Sequence, residues 1–392
     1  MRIGDFCFTP EAGSLVSSDG RRIDLRPQAM DVLRLLAEAE GAVVSKDEIL
    51  SAVWPDIATG EESLYQCISD IRRALDDAQR TILRTVPRKG YHLALPGARP
   101  VPGPRPPTPE PIRFAQSADA RLAWTAIGQG TPILKAPSWI SNIESEATSL
   151  IFGPFYARLA ERARIVYFDQ RGSSHSSRRV TDWSVDAMVD DMARIADTAG
   201  LDRFFLFGPS QGGAFALAFA ARFPERVLGI IARGAFATGW KVHGDEVQRR
   251  RYEVSKAMIS AGWNEPNPEY RRFFTGLLIP DAPPEMAREM DAIQARAVEA
   301  DVQLANVELQ SSLDVHHLLD AVTCPVLLLH SSGDLAVPAE RAVELASALP
   351  SCELRLLDGN NHIPVPGTAG FEQFMDAIDD FLDRHGSVAR IP

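Results

Sequence analysis

The chain has 392 residues, is 45% hydrophobic and 24% charged, and carries a formal net charge of −11. That length allows two or three domains, and the composition excludes a chain disordered throughout. The four cysteines Cys7, Cys67, Cys324 and Cys352 have neither the density of a disulfide framework nor a C-x-x-C spacing, so they read as free thiols of a reducing compartment, with no structural metal implied. The longest apolar run, 204–221, is broken by Pro209, Ser210 and Gln211, and the N-terminus lacks a basic region followed by an apolar core. A cytoplasmic protein without membrane association is therefore expected.

Short alternating segments (Arg2–Phe8, Leu15–Val16, Arg22–Leu25) open the chain. Pro27 stands where a first-turn proline belongs, and Met30, Leu33, Leu36 and Ala37 follow at helical spacing until Gly41. Ser45-Lys46-Asp47-Glu48 is a capping-box pattern that opens a second helix, running through Ile49, Leu50 and Val53 to Trp54 and stopped by Pro55. A third helix, Glu61–Asp76, places Leu64, Ile68, Ile71 and Leu75 on one face. TILRTVPRKGYHLAL then predicts two short strands joined by a turn at Pro87–Gly90.

The segments VVSKDEILSAVW, SLYQCISDIRRAL and TVPRKGYHL, in that order behind an opening set of strands, resemble the α+β winged helix-turn-helix effector domain of the OmpR/PhoB family over residues 1–96. The resemblance implies a double-stranded DNA partner, with the third helix in the major groove and the hairpin wing on the adjacent minor groove and backbone. By matching position, Gln66, Cys67, Ser69, Asp70, Arg72 and Arg73 on the helix and Thr85, Arg88 and Lys89 on the wing would face DNA. Basic side chains there neutralise phosphates and release counterions. Asp70 departs from the family, which often has a basic residue at that place, and is expected to repel phosphate.

Residues 96–111 read PGARPVPGPRPPTPEP, so half of the positions are proline. A linker over 97–111 with extended, semi-rigid character is expected. Charge divides unevenly across it. Residues 1–98 hold 12 basic and 15 acidic side chains, and −9 of the total lies on 113–392. Whole-chain acidity thus does not exclude a nucleic-acid partner for the first domain.

Beyond the linker, over 112–392, strand-like runs (Ile133–Lys135, Ile165–Asp169, Phe204–Gly208, Val227–Ala232, Val326–Ser331, Glu353–Leu357) alternate with amphipathic stretches (Ser184–Ala199, Gly212–Arg222, Ala339–Leu349, Phe371–His385). The alternation predicts a mostly parallel sheet with helices on both faces. About 236–320 there is no strand signal, and the aromatic and methionine content predicts an inserted helical cap.

Gly208-Pro209-Ser210-Gln211-Gly212 is a G-x-S-x-G between an apolar strand and an Ala-rich helix, the context of a nucleophile elbow. A serine hydroxyl needs a histidine to take its proton and a carboxylate to hold that imidazole. Asp334 in HSSGDLAVP and then His362 in LDGNNHIP follow the serine, giving the order serine, acid, histidine. Together with YFDQRGSSHSS and AARFPERV, the constellation resembles the α/β-hydrolase fold superfamily. That resemblance implies Ser210, Asp334 and His362 as catalytic residues. It also implies one oxyanion donor in the backbone N–H of Gln211 and a second in the loop Lys135–Ile140. The usual His-Gly of that loop is absent and Pro137 has no N–H, which leaves Ser138 or Trp139. His316 and His317 are adjacent and read as structural, as does His175 in its Ser-rich loop.

The whole arrangement resembles bacterial fusions of an OmpR-type domain to an α/β-hydrolase, in which a histidine is expected where Asn142 stands. The expected function is a homodimeric transcriptional regulator whose hydrolase domain senses, with or without hydrolysis, a small ester, lactone or acyl compound, and needs no cofactor. The alternatives are an esterase-like serine hydrolase with an accessory winged helix, or a catalytically idle receptor.

Overall fold

A computed structural model describes residues 1–3, 6–10, 13–17, 20–39, 42–55, 61–75, 77, 82–86, 90–93 and 108–386. It divides into two compact units, Met1–Arg105 and Pro106–Pro392. The predicted wing turn at 87–89 and residues 97–107 of the linker lie outside the described residues.

The first unit begins with an antiparallel sheet of β1 (Arg2–Ile3), β2 (Phe6–Thr9), β3 (Ser14–Ser17) and β4 (Arg22–Ile23). Helix α1 (Pro27–Glu38) follows, then β5 (Val43–Val44), α2 (Lys46–Val53), α3 (Glu61–Ala74) and the hairpin strands β6 (Leu83–Val86) and β7 (Gly90–Leu93). The capping box at α2 forms as its sequence dictates: Ser45 Oγ accepts from Glu48 N, and Glu48 accepts from Ser45 N at 2.8 Å. Strand β5 pairs with β7, so the wing is a three-stranded sheet of order β5-β7-β6. Leu33 and Leu36 of α1, Ile49 of α2, and Leu64, Ile68 and Ile71 of α3 form one buried core.

The second unit opens with β8 (Arg113–Ser117), β9 (Ala120–Ile127) and β10 (Thr131–Lys135), then α4 (Ile143–Glu146), α5 (Gly153–Leu159), β11 (Ala163–Phe168), α6 (Val185–Thr198), β12 (Phe204–Pro209), α7 (Gln211–Arg222) and β13 (Val227–Arg233). Five helices come next: α8 (Trp240–His243), α9 (Glu246–Gly262), α10 (Glu269–Leu278), α11 (Pro284–Ala297) and α12 (Ala300–Ser312). The remaining described elements include β14 (Val326–Ser331), α13 (Ala339–Ala348), β15 (Cys352–Leu357) and α14 (Ala369–His385). The eight strands lie in the order β15-β14-β13-β12-β10-β11-β9-β8; β10 to β15 are parallel, and β9 and β8 add antiparallel at one edge.

Strands buried on both faces are near-continuously apolar, and β12 and β13 are buried at every position. One face packs Met192 of α6, Phe215 of α7 and Leu345 of α13; the other packs Phe155 of α5 and Phe374 and Phe381 of α14. Arg171, 1% exposed, bridges to Asp191 at 2.7 Å and ties the loop after β11 to α6. All four cysteines are free, and no helix among the described residues is long and apolar enough to cross a membrane.

Candidate active site

Strand β12 ends and α7 begins within one residue, and that reversal forces Ser210 to φ 54°, ψ −125°. Few side-chain-bearing residues adopt such a backbone, and it costs about 1–3 kcal/mol. The turn is held by Ser210 N–H donating to Arg233 O at 2.7 Å. A Cβ on Gly212 would stand 2.6 Å from Pro137 O, so glycine there lets the loop after β10 close on the elbow. Ser210 borders a largely apolar cavity of about 680 Å³, also lined by His362, Gln211, Ser138, Trp139 and Arg233.

The carboxylate of Asp334 follows β14. Its Oδ1 accepts the N–H groups of Ala336 and Val337, both at 2.9 Å, and its Oδ2 lies 2.7 Å from His362 Nδ1. Burial alone would raise the Asp334 pKa, but the charge and hydrogen bond of His362 and the Val337 N–H outweigh it and hold the carboxyl below its usual value. With Nδ1 engaged, Nε2 is the imidazole nitrogen left for another partner. His330 lies behind this pair, its Nε2 2.8 Å from Val337 O and 3.4 Å from Asp334 Oδ2. Burial pushes its imidazole pKa down, so it stays neutral and donates to the carbonyl.

The His362 loop is fixed from three sides. Arg233 Nη1 donates to His362 O at 3.1 Å, Ser331 Oγ to Asn361 O at 2.6 Å, and Ile363 N to Leu278 O at 3.0 Å. Gly234, at φ 58°, backs the ring itself: a Cβ there would lie 2.5 Å from His362 Cε1. Sequence reasoning missed His330, Arg233 and Gly234.

The remaining predicted residues divide. The Gln211 N–H is the first of α7 and so has no acceptor within the helix. The Gln211 side chain is buried with neither Oε1 nor Nε2 partnered. Trp139 packs edge-on against Phe274 and Trp263, with centroids 5.3 and 6.3 Å apart. Asn142 caps α4 through Ser145 N at 2.8 Å, donates to Ser174 Oγ, and is absent from the cavity wall. His175 is likewise off that wall; it bonds Asp169, whose carboxyl is pushed up to about 6 by burial against the opposing N–H groups of His175 and Ile143. His316 and His317 are exposed.

In the first unit, Gln66, Ser69 and Arg73 are exposed on α3. Cys67 is a correction: it is 2% exposed, in the core with Leu64 and Ile71, and cannot face DNA. Asp70 is also corrected, because its charge is not presented alone; Arg26 Nε donates to it at 2.7 Å, Gln66 at 3.3 Å and Arg73 at 3.5 Å. Arg72 is turned to the wing, donating to Leu83 O at 3.0 Å and Thr85 Oγ1 at 2.9 Å. Arg88 and Lys89 lie outside the described residues. Tyr65, 45% exposed on α3 and bonded to Lys46 Nζ at 2.7 Å, was not anticipated; an aromatic amid polar neighbours is the signal that could have found it.

A parallel sheet, a serine on a strained strand-to-helix turn and a bonded His–Asp pair define an α/β-hydrolase domain. The family model described as the alpha/beta hydrolase fold matches residues 147–366, and that described as "Transcriptional regulatory protein, C terminal" matches 20–93. The chain belongs to the α/β-hydrolase fold family and carries an OmpR/PhoB-type winged-helix domain ahead of it. It is 26% identical over 260 residues to the putative carbamate hydrolase RutD of Azorhizobium caulinodans, covering 64% of this chain and 91% of RutD. To the transcriptional activator CadC of Escherichia coli it is 28% identical over 154 residues, 38% of this chain and 27% of CadC. An esterase from Rhodococcus shares the fold with a TM-score of 0.59 at 21% identity, over 70% of this chain and 99% of the esterase.

Proposed function

We propose that the protein is a ligand-responsive DNA-binding regulator whose hydrolase domain binds and hydrolyses a small ester, lactone or related acyl compound. The observation that carries the catalytic half is the 2.7 Å His362–Asp334 hydrogen bond at the wall of the cavity that also holds Ser210. Ser210 Oγ attacks the acyl carbonyl as His362 Nε2 takes its proton. The oxyanion accepts from Gln211 N–H and from the N–H of Ser138 or Trp139. His362 then protonates the departing alcohol. A water deprotonated by His362 cleaves the acyl-enzyme, releasing the acid and restoring the serine. Carbamates, the group in the relative's name, fall in the same acyl class.

On the DNA side, Gln66, Ser69 and Arg73 of α3 supply the base and phosphate contacts, the wing residues Arg88 and Lys89 add phosphate contacts, and Arg72 with Thr85 sets the wing. Two copies of the chain bind paired half-sites, and ligand occupancy shifts the balance between two arrangements of those copies. Labelling of the full-length chain by a fluorophosphonate, lost in Ser210→Ala, tests the nucleophile. Selection of duplexes from a random pool, followed over a salt series and with sedimentation to give the stoichiometry, tests DNA binding; absence of binding at low salt overturns it.

A further inference from the structure

Parallel pairing sets Lys135 of β10 beside Phe207 of β12, and Pro209 of β12 beside Arg233 of β13. Side chains alternate along a strand, so these four share the sheet face that Phe155 and Phe374 cover, and all six are buried and together wall one chamber of the cavity, its inner chamber. Lys135 is neutralised there by Glu146 at 2.9 Å, with the Tyr156 hydroxyl donating to the other carboxylate oxygen.

Arg233 has no such partner. It is 7% exposed, Nη1 serves the His362 carbonyl, Nε is buried without an acceptor, and among the described residues no carboxylate lies within ion-pairing distance. Burial lowers its pKa to about 10 against the pull of Asp334, so it remains a cation at neutral pH. Keeping a guanidinium unpaired in an aromatic-walled chamber is costly unless a ligand brings the anion. The cavity wall on α9 has the same sign. Arg250 and Arg251 line it, and Glu246 is shared by Arg249 and Arg250 at 2.7 and 3.1 Å, on a domain whose net charge is −9. A cationic patch on an acidic domain draws anions inward.

We propose that the inner chamber is an anion subsite with Arg233 as its recognition residue, and that the ligand is an apolar acyl compound carrying a carboxylate on its acyl portion. The inference rests on the acyl-hydrolase reading above and names its substrate class. The guanidinium offers paired N–H groups to the carboxylate, and the aromatic wall excludes competing water.

The test uses the full-length chain and matched pairs of 4-nitrophenyl esters, in which half-esters of dicarboxylic acids from succinate to sebacate are compared with neutral straight-chain esters of equal length. A preference in kcat/KM for at least one half-ester of about tenfold or more is expected, falling towards unity in Arg233→Met and partly restored in Arg233→Lys. Binding is read separately in Ser210→Ala, by thermal shift with the monoamides of the same dicarboxylic acids against the neutral amides. Ester turnover without any carboxylate preference overturns the subsite and leaves the hydrolase reading standing. Arg233-dependent thermal stabilisation by a carboxylate ligand, with no ester turnover by wild type, supports the subsite and overturns the hydrolase reading. Neither turnover nor stabilisation overturns both.

Discussion

In the winged-helix unit the carboxylate of Asp70 sits near the surface, shared by Arg26, Arg73 and Gln66, and Arg26 is itself 54% exposed. In the hydrolase unit the side chain of Asp334 is 1% exposed, and each oxygen has a fixed donor. An exposed pair is screened and worth about 0–1 kcal/mol, whereas stripping a partner from a buried charge costs about 3–5 kcal/mol. The first unit therefore spreads its interaction over many replaceable surface contacts. The second concentrates its buried polar contacts in a few side chains that each depend on the next.

The strongest way to break that contrast is to remove members of the buried set. Ser210→Ala is expected to abolish fluorophosphonate labelling and to lower kcat by about 10⁶-fold on any ester the wild type cleaves. Asp334→Asn is expected to lower kcat by about 10⁴-fold, because the wrong imidazole tautomer is then held. Retained turnover in either variant would place the chemistry elsewhere.

Gly234→Ala comes next. Its Cβ would meet the His362 ring and its φ of 58° penalises a side chain, so kcat/KM should fall about 100-fold from ring displacement alone. A crystal structure of the variant with the imidazole unmoved would refute this.

A pH series is expected to show a smaller effect. The Asp334 pKa is depressed in the folded state, so its contribution to stability is complete above the unfolded value of about 4 and is lost as pH falls through the lower folded value. Chemical denaturation of wild type and Asp334→Asn should show a stability gap at neutral pH that is lost as pH falls below about 4.

Arg26→Ala should change stability least, by no more than about 1 kcal/mol, yet weaken DNA binding by exposing Asp70 to phosphate. A loss of several kcal/mol would mean that the surface unit is built like the buried one.

Where local pattern carries the information, the fold was readable: the six parallel strands and their helices follow from apolar runs and 3.6-residue periodicity. Strand β5 has two residues and β8 is half-exposed, and neither length nor alternation marked them. Cys67 lies three residues from Leu64 and four from Ile71, a spacing that belongs to the core stripe and outweighs its matching position on the DNA-facing helix. Ser210, Asp334 and His362 stood out because their flanking glycines and strands are sequence neighbours. Arg233 did not, since its partner His362 is 129 residues away.

The sequence by itself determined two domains and set Ser210 between a strand and a helix, with Asp334 and His362 each after a later strand, because each of those placements rests on residues adjacent in the chain. Only the tertiary structure decided that Asp70 is answered by Arg26, that Gly234 clears space for the imidazole, and that Arg233 stands in the cavity wall with no carboxylate in ion-pairing distance among the described residues. Those are matters of distance between remote segments. Buried charges and close contacts draw their energy from such distances, which no local spacing encodes.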